Sequence, residues 1–393
     1  MQKIYIVGGA RTAIGAFGGS LATLRPAQLG EIVIRAAMAR AAVAPADVGH
    51  VFVGSVIPTQ PSDAYVARVA AISAGVPAET PALTVNRLCG SGLQAIVSAA
   101  QTIALGECDL AIGGGAESMS NAAHMTGAAR KGQRMGDVTL LDAMLGVLHD
   151  PFDNVHMGVT AENVATECAI SRAAQDAAAV ESHRRASAAI VEGRFKTQIV
   201  PVEIKSRKGT IVFEVDEHVR ADASLEDMAA LKPVFQDDGT VTAGNASGIN
   251  DGAAAVILAS GDAVLAKDLT PLARIVAWSH AGVAPRIMGL GPVSAVPIAL
   301  ERAGLALTDI DVIESNEAFA AQACAVAQQL GFDPEKTNPN GSGISLGHPV
   351  GATGAILTVK CIYELKRRGG RYGLITMCIG GGQGISMIIE NVP

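Results

Sequence analysis

Four residues on glycine-rich turns or at strand ends bring reactive or polarising groups to this chain: Cys89, Asn316, His348 and Cys378. Cys89 lies in Asn-Arg-Leu-Cys-Gly-Ser-Gly at 86-92, between a short β-branched and apolar run and a long Ala-rich helical pattern, Leu93 to Leu105. A cysteine where a strand hands over to a helix meets free backbone N–H groups and the positive end of the helix dipole. Both favour the thiolate, the nucleophilic form. His348 is held between Gly347 and Pro349, and Cys378 opens Cys-Ile-Gly-Gly-Gly-Gln-Gly at 378-384. Acyl transfer can use such a set: a cysteine nucleophile, a base for its proton, and donors for the oxyanion of the tetrahedral intermediate. Taken singly, each residue has a plainer reading. The cysteines read as core thiols, His348 as a surface or satisfied core residue, and Asn316 before Glu317 as a helix cap.

Two cofactor chemistries fail on spacing. Gly341-x-Gly343-x-x-x-Gly347 misses the dinucleotide-binding GxGxxG pattern, and Glu364, at a suitable distance, falls inside a helical stretch. Zinc-ligand spacing is absent, so no metal site is expected.

The elements that must position these groups alternate between strand and helix, which means an α/β layer structure. Strands are expected at Ile4–Val7, Val51–Val53 and Leu110–Gly115, with helices from Pro26, from Ala64 to Ala74 and from Leu93. The first helix presents Leu29, Ile32, Val33, Ala36 and Ala37 on one face. Residues 121-150 lack a clean period and read as an extended excursion, an assembly arm. Helices follow at Thr160–Cys168 and after the N-cap Ser171, then a basic hairpin around Arg207-Lys208-Gly209 and a buried strand at Ala253–Leu258. After residue 270 the opening scheme returns, with strands at Leu272–Val276 and Val312–Ile313, a helix from Glu317 to Leu330, and strands flanking Cys378. Gly90-Ser91-Gly92 is echoed at 341-343, and Ala-Ile-Gly-Gly-Gly at 111-115 by Cys-Ile-Gly-Gly-Gly at 378-382. The chain is therefore expected to divide into an N-terminal half (1-120 and 250-270), a loop domain (121-249) and a duplicate C-terminal half (271-393).

Composition sets the outer bounds. The 393 residues exceed one average core, and with only 3% aromatics that core must be built from small and aliphatic side chains. A net charge of -7 argues against general nucleic-acid binding, which needs a basic face. Apolar runs are too short to span a bilayer. Six cysteines without paired spacing fit reduced thiols in a cytoplasmic protein.

These stretches, with His-Met-Gly-Val-Thr-Ala-Glu-Asn at 156-163, Gly-Asn-Ala-Ser-Gly at 244-248, Asn-Glu-Ala-Phe-Ala at 316-320 and Gly-His-Pro-Val-Gly-Ala-Thr-Gly at 347-354, resemble the thiolases end to end. Within that superfamily the chain is most similar to bacterial acetyl-CoA acetyltransferases. The resemblance implies a thiolase-like fold of two duplicated α/β halves layered α-β-α-β-α, an inserted loop domain, and a homotetramer. It implies reversible condensation of two acetyl-CoA to acetoacetyl-CoA, or thiolysis of short-chain 3-ketoacyl-CoA, with coenzyme A thioesters as substrates and no cofactor. Cys89 would carry the acetyl group and His348 take its proton. Cys378 would deprotonate the second substrate, Asn316 hold a water, and Gly380 supply an oxyanion donor. Ser247 would lie beside the pantetheine arm, with His156, Met157, Met288 and Phe319 around the acyl pocket. Arg220 and the Arg207-Lys208 corner are the candidates for the nucleotide phosphates.

Two rivals differ at the reactive residues. A decarboxylating ketoacyl synthase usually replaces the second cysteine with His or Asn, and a silent thiolase-like scaffold would lack a reactive group. Cys378 and the intact set of four favour the thiolase.

Overall fold

The computed structural model describes residues 2-206 and 209-392. In the N-terminal half, β1 (Ile4–Arg11) leads to α1 (Pro26–Ala41), β2 (His50–Gly54), α2 (Val66–Ser73), β3 (Ala82–Val85), α3 (Ser91–Ala104) and β4 (Leu110–Ser118). The buried stripe of α1 is Leu29, Gly30, Val33, Ile34, Ala37, Met38 and Ala41. It is rotated from the expected face, leaving Ile32 and Ala36 half-buried, because Gly30 meets α2 closely: a Cβ there would lie 3.0 Å from that of Ala70.

The inserted region carries α4 (Met157–Glu167), α5 (Arg172–Val191) and an antiparallel hairpin, β5 (Val202–Ser206) with β6 (Gly209–Phe213). The expected phosphate contacts Arg207 and Lys208 lie outside the described residues. A fully buried, bidentate pair ties this region to β1: Arg11 donates to both carboxylate oxygens of Asp216, at 2.7 and 2.9 Å. The chain then returns to the first half as β7 (Asn250–Ser260), buried along its whole length.

The C-terminal half repeats the pattern with β8 (Ala273–Gly282), α6 (Gly291–Ala303), β9 (Ile310–Ser315), α7 (Ala320–Leu330), α8 (Thr353–Arg368), β10 (Tyr372–Ile379) and β11 (Gln383–Asn391). Strand order states the duplication. The first half runs β3-β2-β4-β7-β1 and the second β9-β10-β11-β8. An isolated parallel bridge from Ile313 to Thr337 stands where β3 pairs with β2. Parallel and antiparallel senses match strand for strand, β2/β4 like β9/β10 and β7/β1 like β11/β8. The two sheets join through a short antiparallel pairing of β1 with β8.

Helices α1 and α2 cover the outside of one sheet and α6 and α7 flank the other, while α3 and α8 pack on each other between the sheets. The result is an α-β-α-β-α stack. Glycine makes the central layer close enough to work. A Cβ on Gly92 would lie 2.9 Å from the Ala355 nitrogen, and one on Gly354 would lie 2.5 Å from the Leu93 nitrogen. The starts of α3 and α8 thus touch backbone to backbone, one bringing Cys89 and the other His348.

One expected boundary moves. The helix expected from Glu317 begins at Ala320, because Phe319 is extended (φ −144°, ψ 144°) and bridges to Ala246. Asn316 is accordingly no helix cap: its N–H donates to the Thr376 carbonyl at 3.0 Å.

Candidate active site

The Cys89 turn is held by its own side chains. The Asn86 carboxamide oxygen accepts the Leu88 N–H at 3.0 Å, and the Ser91 hydroxyl accepts from the Arg87 N–H at 2.8 Å while donating to the Leu88 carbonyl at 2.7 Å. Leu88 is thereby kept in the left-handed region at φ 47°, a conformation that costs a non-glycine residue roughly 1–2 kcal/mol. This turn delivers Cys89 to a cavity just before the helix cap Gly90.

The N–H groups of Gly380 and of Cys89 itself are directed at the sulfur. They do not make it a thiolate. Burial pushes the Cys89 thiol up to about 11, with the charge of Glu117 adding to the rise. The expectation of a thiolate stabilised by the helix terminus is therefore corrected: loss of water outweighs the local donors. An S–H here needs a base.

His348 has the form a base requires. Its backbone N–H donates to Asn250 Oδ1 at 2.9 Å, and Asn250 in turn donates to the Gly15 carbonyl at 3.0 Å. The Nδ1 lies 2.6 Å from the Thr353 hydroxyl, which donates its own proton to the Pro349 carbonyl at 3.0 Å. With that proton committed, the hydroxyl acts as acceptor, which assigns the hydrogen to Nδ1 and the lone pair to Nε2. Asn316 Nδ2 stands 3.4 Å from this Nε2. Burial lowers the imidazole to about 4, so it is neutral at physiological pH. Asn316 Oδ1 is buried and has no hydrogen-bond partner among the described residues.

Cys378, 1% exposed near the end of β10, lies among Met157, Met288 and Phe319. Burial raises its thiol strongly, and the neighbouring Cys89 adds to the effect. One cavity of about 60 Å³ is lined by Cys89, His348, Cys378, Gly380, Ser247, Met157, Met288 and Phe319. Leu88, Val147, Leu148, Ala318 and Val350 complete the lining, and sequence reasoning had singled out none of them as pocket residues. Val147 and Leu148 come from the excursion with no readable period. Asn316 stands behind His348, outside the lining.

His156 sits one layer out. Its Nδ1 caps α4 by accepting the Gly158 N–H at 3.0 Å, and its ring stacks on Phe235, which meets Phe319 edge-on. Arg220 lines a separate cavity of about 420 Å³ with His183, His218, Met228, Leu231 and Ala246. The two cavities meet along the chain at Ala246 and Ser247, which line the outer and inner one respectively. Among the described residues no group of three His, Cys, Asp or Glu is arranged to hold a metal ion, and no helix is long and apolar enough to cross a membrane.

The family model for "Thiolase, N-terminal domain" matches residues 4-262, and that for "Thiolase, C-terminal domain" matches residues 269-391. The beta-ketothiolase BktB of Cupriavidus necator is 64% identical over 392 residues, spanning 100% of both chains. An acetyl-CoA acetyltransferase of the same organism is 49% identical over 392 residues, spanning 99% of this chain and 100% of its own. The crystal structure of human mitochondrial 3-ketoacyl-CoA thiolase matches at a TM-score of 0.98 and 45% identity, covering 100% of this chain and 99% of that one. The same enzyme in complex with CoA matches at 0.97 and 44%, covering 100% and 98%.

Proposed function

The chain belongs to the thiolase family, and from that premise we propose that it is an acetyl-CoA C-acetyltransferase working through acetyl-Cys89. The observation that carries the reading is the meeting of the Cys89 thiol, the buried Cys378 thiol and a neutral imidazole in one small cavity. His348 Nε2 takes the Cys89 proton, and the thiolate attacks the thioester carbonyl of acetyl-CoA. The oxyanion is received by the N–H groups of Cys89 and Gly380. As the tetrahedral intermediate collapses, the CoA thiolate leaves and takes its proton from Cys378, which burial has kept protonated. Cys378 is now the base and His348 holds a proton on Nε2.

In the second half, Cys378 removes the α-proton of another acetyl-CoA. The enolate oxygen is met by His348 Nε2–H and by a water on Asn316 Oδ1. The enolate carbon attacks acetyl-Cys89, acetoacetyl-CoA leaves, and the Cys89 thiolate recovers its proton from His348. Thiolysis runs the same steps backwards. A cavity of about 60 Å³ supports short acyl groups. The larger cavity beside Ser247, with Arg220, supports a CoA arm laid outward.

The division into halves 1-120 with 250-270 and 271-393, and a loop domain 121-249, belongs to this reading. So do a cytoplasmic location and a homotetramer; the exposed Met125, Met135, Leu140 and Leu141 of the excursion support a surface for assembly. The test is labelling with radioactive acetyl-CoA. Cys89→Ala should take no label, whereas Cys378→Ala should label at Cys89 and form no acetoacetyl-CoA. Condensation by Cys89→Ala would overturn the assignment.

A further inference from the structure

We propose that Glu117 is a positioning residue, fixing the His348 turn against the Cys89 turn by gathering backbone N–H groups from both halves onto one carboxylate. The proposal rests on the acyl-transfer reading above. Glu117 lies on β4 and is fully buried. Its Oε1 accepts the Ile57 N–H at 3.1 Å, and its Oε2 accepts those of Val56 at 3.1 Å and Gly351 at 2.8 Å. Val56 and Ile57 follow β2 in the N-terminal half. Gly351 belongs to the other half, on the turn that carries His348.

The electrostatics argue that this carboxylate serves geometry. No Lys, Arg or His pairs with Glu117 among the described residues, so backbone donors alone compensate its burial. Isolated burial of that kind is costly. Burial pushes its carboxyl up to about 8, with Asp63 adding to the rise, while the Ile57, Gly351 and Val56 N–H groups pull against it. In its ionised form, which prevails above about pH 8 and can accept from all three N–H groups, it also pushes the Cys89 thiol upward, so it opposes the nucleophile's ionisation. What it supplies is a clamp. Val56, Ile57 and Val350 pack in one apolar cluster that Leu88 and Cys89 join, and the carboxylate fixes the backbone under that cluster. Proton transfer from Cys89 to His348 depends on that registry, because a displacement of about 1 Å in a catalytic group costs on the order of a hundredfold.

Glu117→Gln tests this, since its amide NH₂ must face one of the N–H groups and release one side of the clamp. The expected result is a kcat for acetoacetyl-CoA thiolysis reduced on the order of thirtyfold or more, with KM within about twofold, because Glu117 touches no substrate. Hydrogen exchange should rise at 347-354 while the core strands stay protected. Glu117→Asp, which keeps the charge with less reach, should recover part of kcat. Folded Glu117→Gln with turnover within about threefold of wild type would overturn the proposal, as would exchange rising throughout the chain with kcat and KM failing together. If wild type itself neither labels at Cys89 nor turns over, the acyl-transfer reading falls and the positioning role with it. A deficit missing only from Glu117→Gln sinks this proposal alone.

Discussion

The Thr353 hydroxyl stands 2.6 Å from His348 Nδ1 and spends its own proton on the Pro349 carbonyl. The pair therefore decides which imidazole nitrogen is basic. Thr353→Val keeps the shape and leaves the Nδ1 hydrogen without an acceptor in a buried site, at a cost of about 1–3 kcal/mol. Spent on the catalytic tautomer, that is roughly a ten- to hundredfold loss in kcat. Thr353→Ser should keep most of the activity, and steady-state kinetics of the two variants side by side are the check.

Asn316 is expected to matter mainly in the second half of the reaction. Asn316→Ala removes the Oδ1 acceptor and should slow condensation by about a hundredfold, the usual loss for one donor to a developing anion. Acetylation of Cys89, followed by rapid-quench labelling, should change far less. Equal losses in both halves would place Asn316 instead among the groups that only orient His348.

Acid should destabilise the fold through its buried histidines. Burial lowers His183, His280 and His348 to about 4 from an ordinary 6.5. Between those values the unfolded chain binds protons that the folded chain refuses, so stability falls as pH drops from about 6.5 towards 4 and levels off below. Their contribution is fully present above 6.5. Unfolding temperature measured across pH 4 to 8 checks the sign, and replacing His183 with Gln should flatten the slope.

Arg220→Ala should act on binding. Its backbone N–H already serves His183 at 3.1 Å, so the side chain is the part available to a ligand in the outer cavity. Loss of one charge-assisted contact, about 1.5 kcal/mol, should raise KM for acetyl-CoA roughly tenfold and spare kcat. A pantetheine thioester lacking the nucleotide should show no difference between variant and wild type.

Gly92→Ala should be among the most damaging single-methyl changes. Its Cβ would fall 2.9 Å from both the Ala355 nitrogen and the Gly351 oxygen, and neither backbone can step aside without moving α8. Overpacking of this kind costs about 1–3 kcal/mol, and activity should fall further than stability because His348 rides on the displaced segment. Chemical denaturation and kcat on the same preparation separate the two.

Much of this was legible in the sequence because it is local. The alternation of strands and helices, the echo of 86-92 at 340-343, and the glycine flanks of Cys89, His348 and Cys378 all read from short windows. What misled was tertiary. The thiolate expected at Cys89 follows from nearby N–H groups, whereas its protonated state follows from water excluded by Val147 and Phe319, which come from distant segments. The helix expected from Glu317 fits its apolar pattern, but a bridge from Phe319 to Ala246 keeps the chain out of helix until Ala320. Thr353 was in view within Gly-Ala-Thr-Gly. Nothing but the fold of the Pro349 turn shows where its hydroxyl points.

The pairing of β1 bears on how the protein is made. Residues Ile4–Arg11 find their neighbours in β7, Ala254 to Ser260, and in β8, Ala273 to Ile275. Both partners leave the ribosome more than half a chain later. During that interval β1 has both edges bare and apolar side chains on view, the state most exposed to wrong pairing. Sheet closure in the first half is therefore a long-range event, slow by its contact order. Synthesis stopped before Asn250 would yield a fragment without the strand that holds β1 to β4.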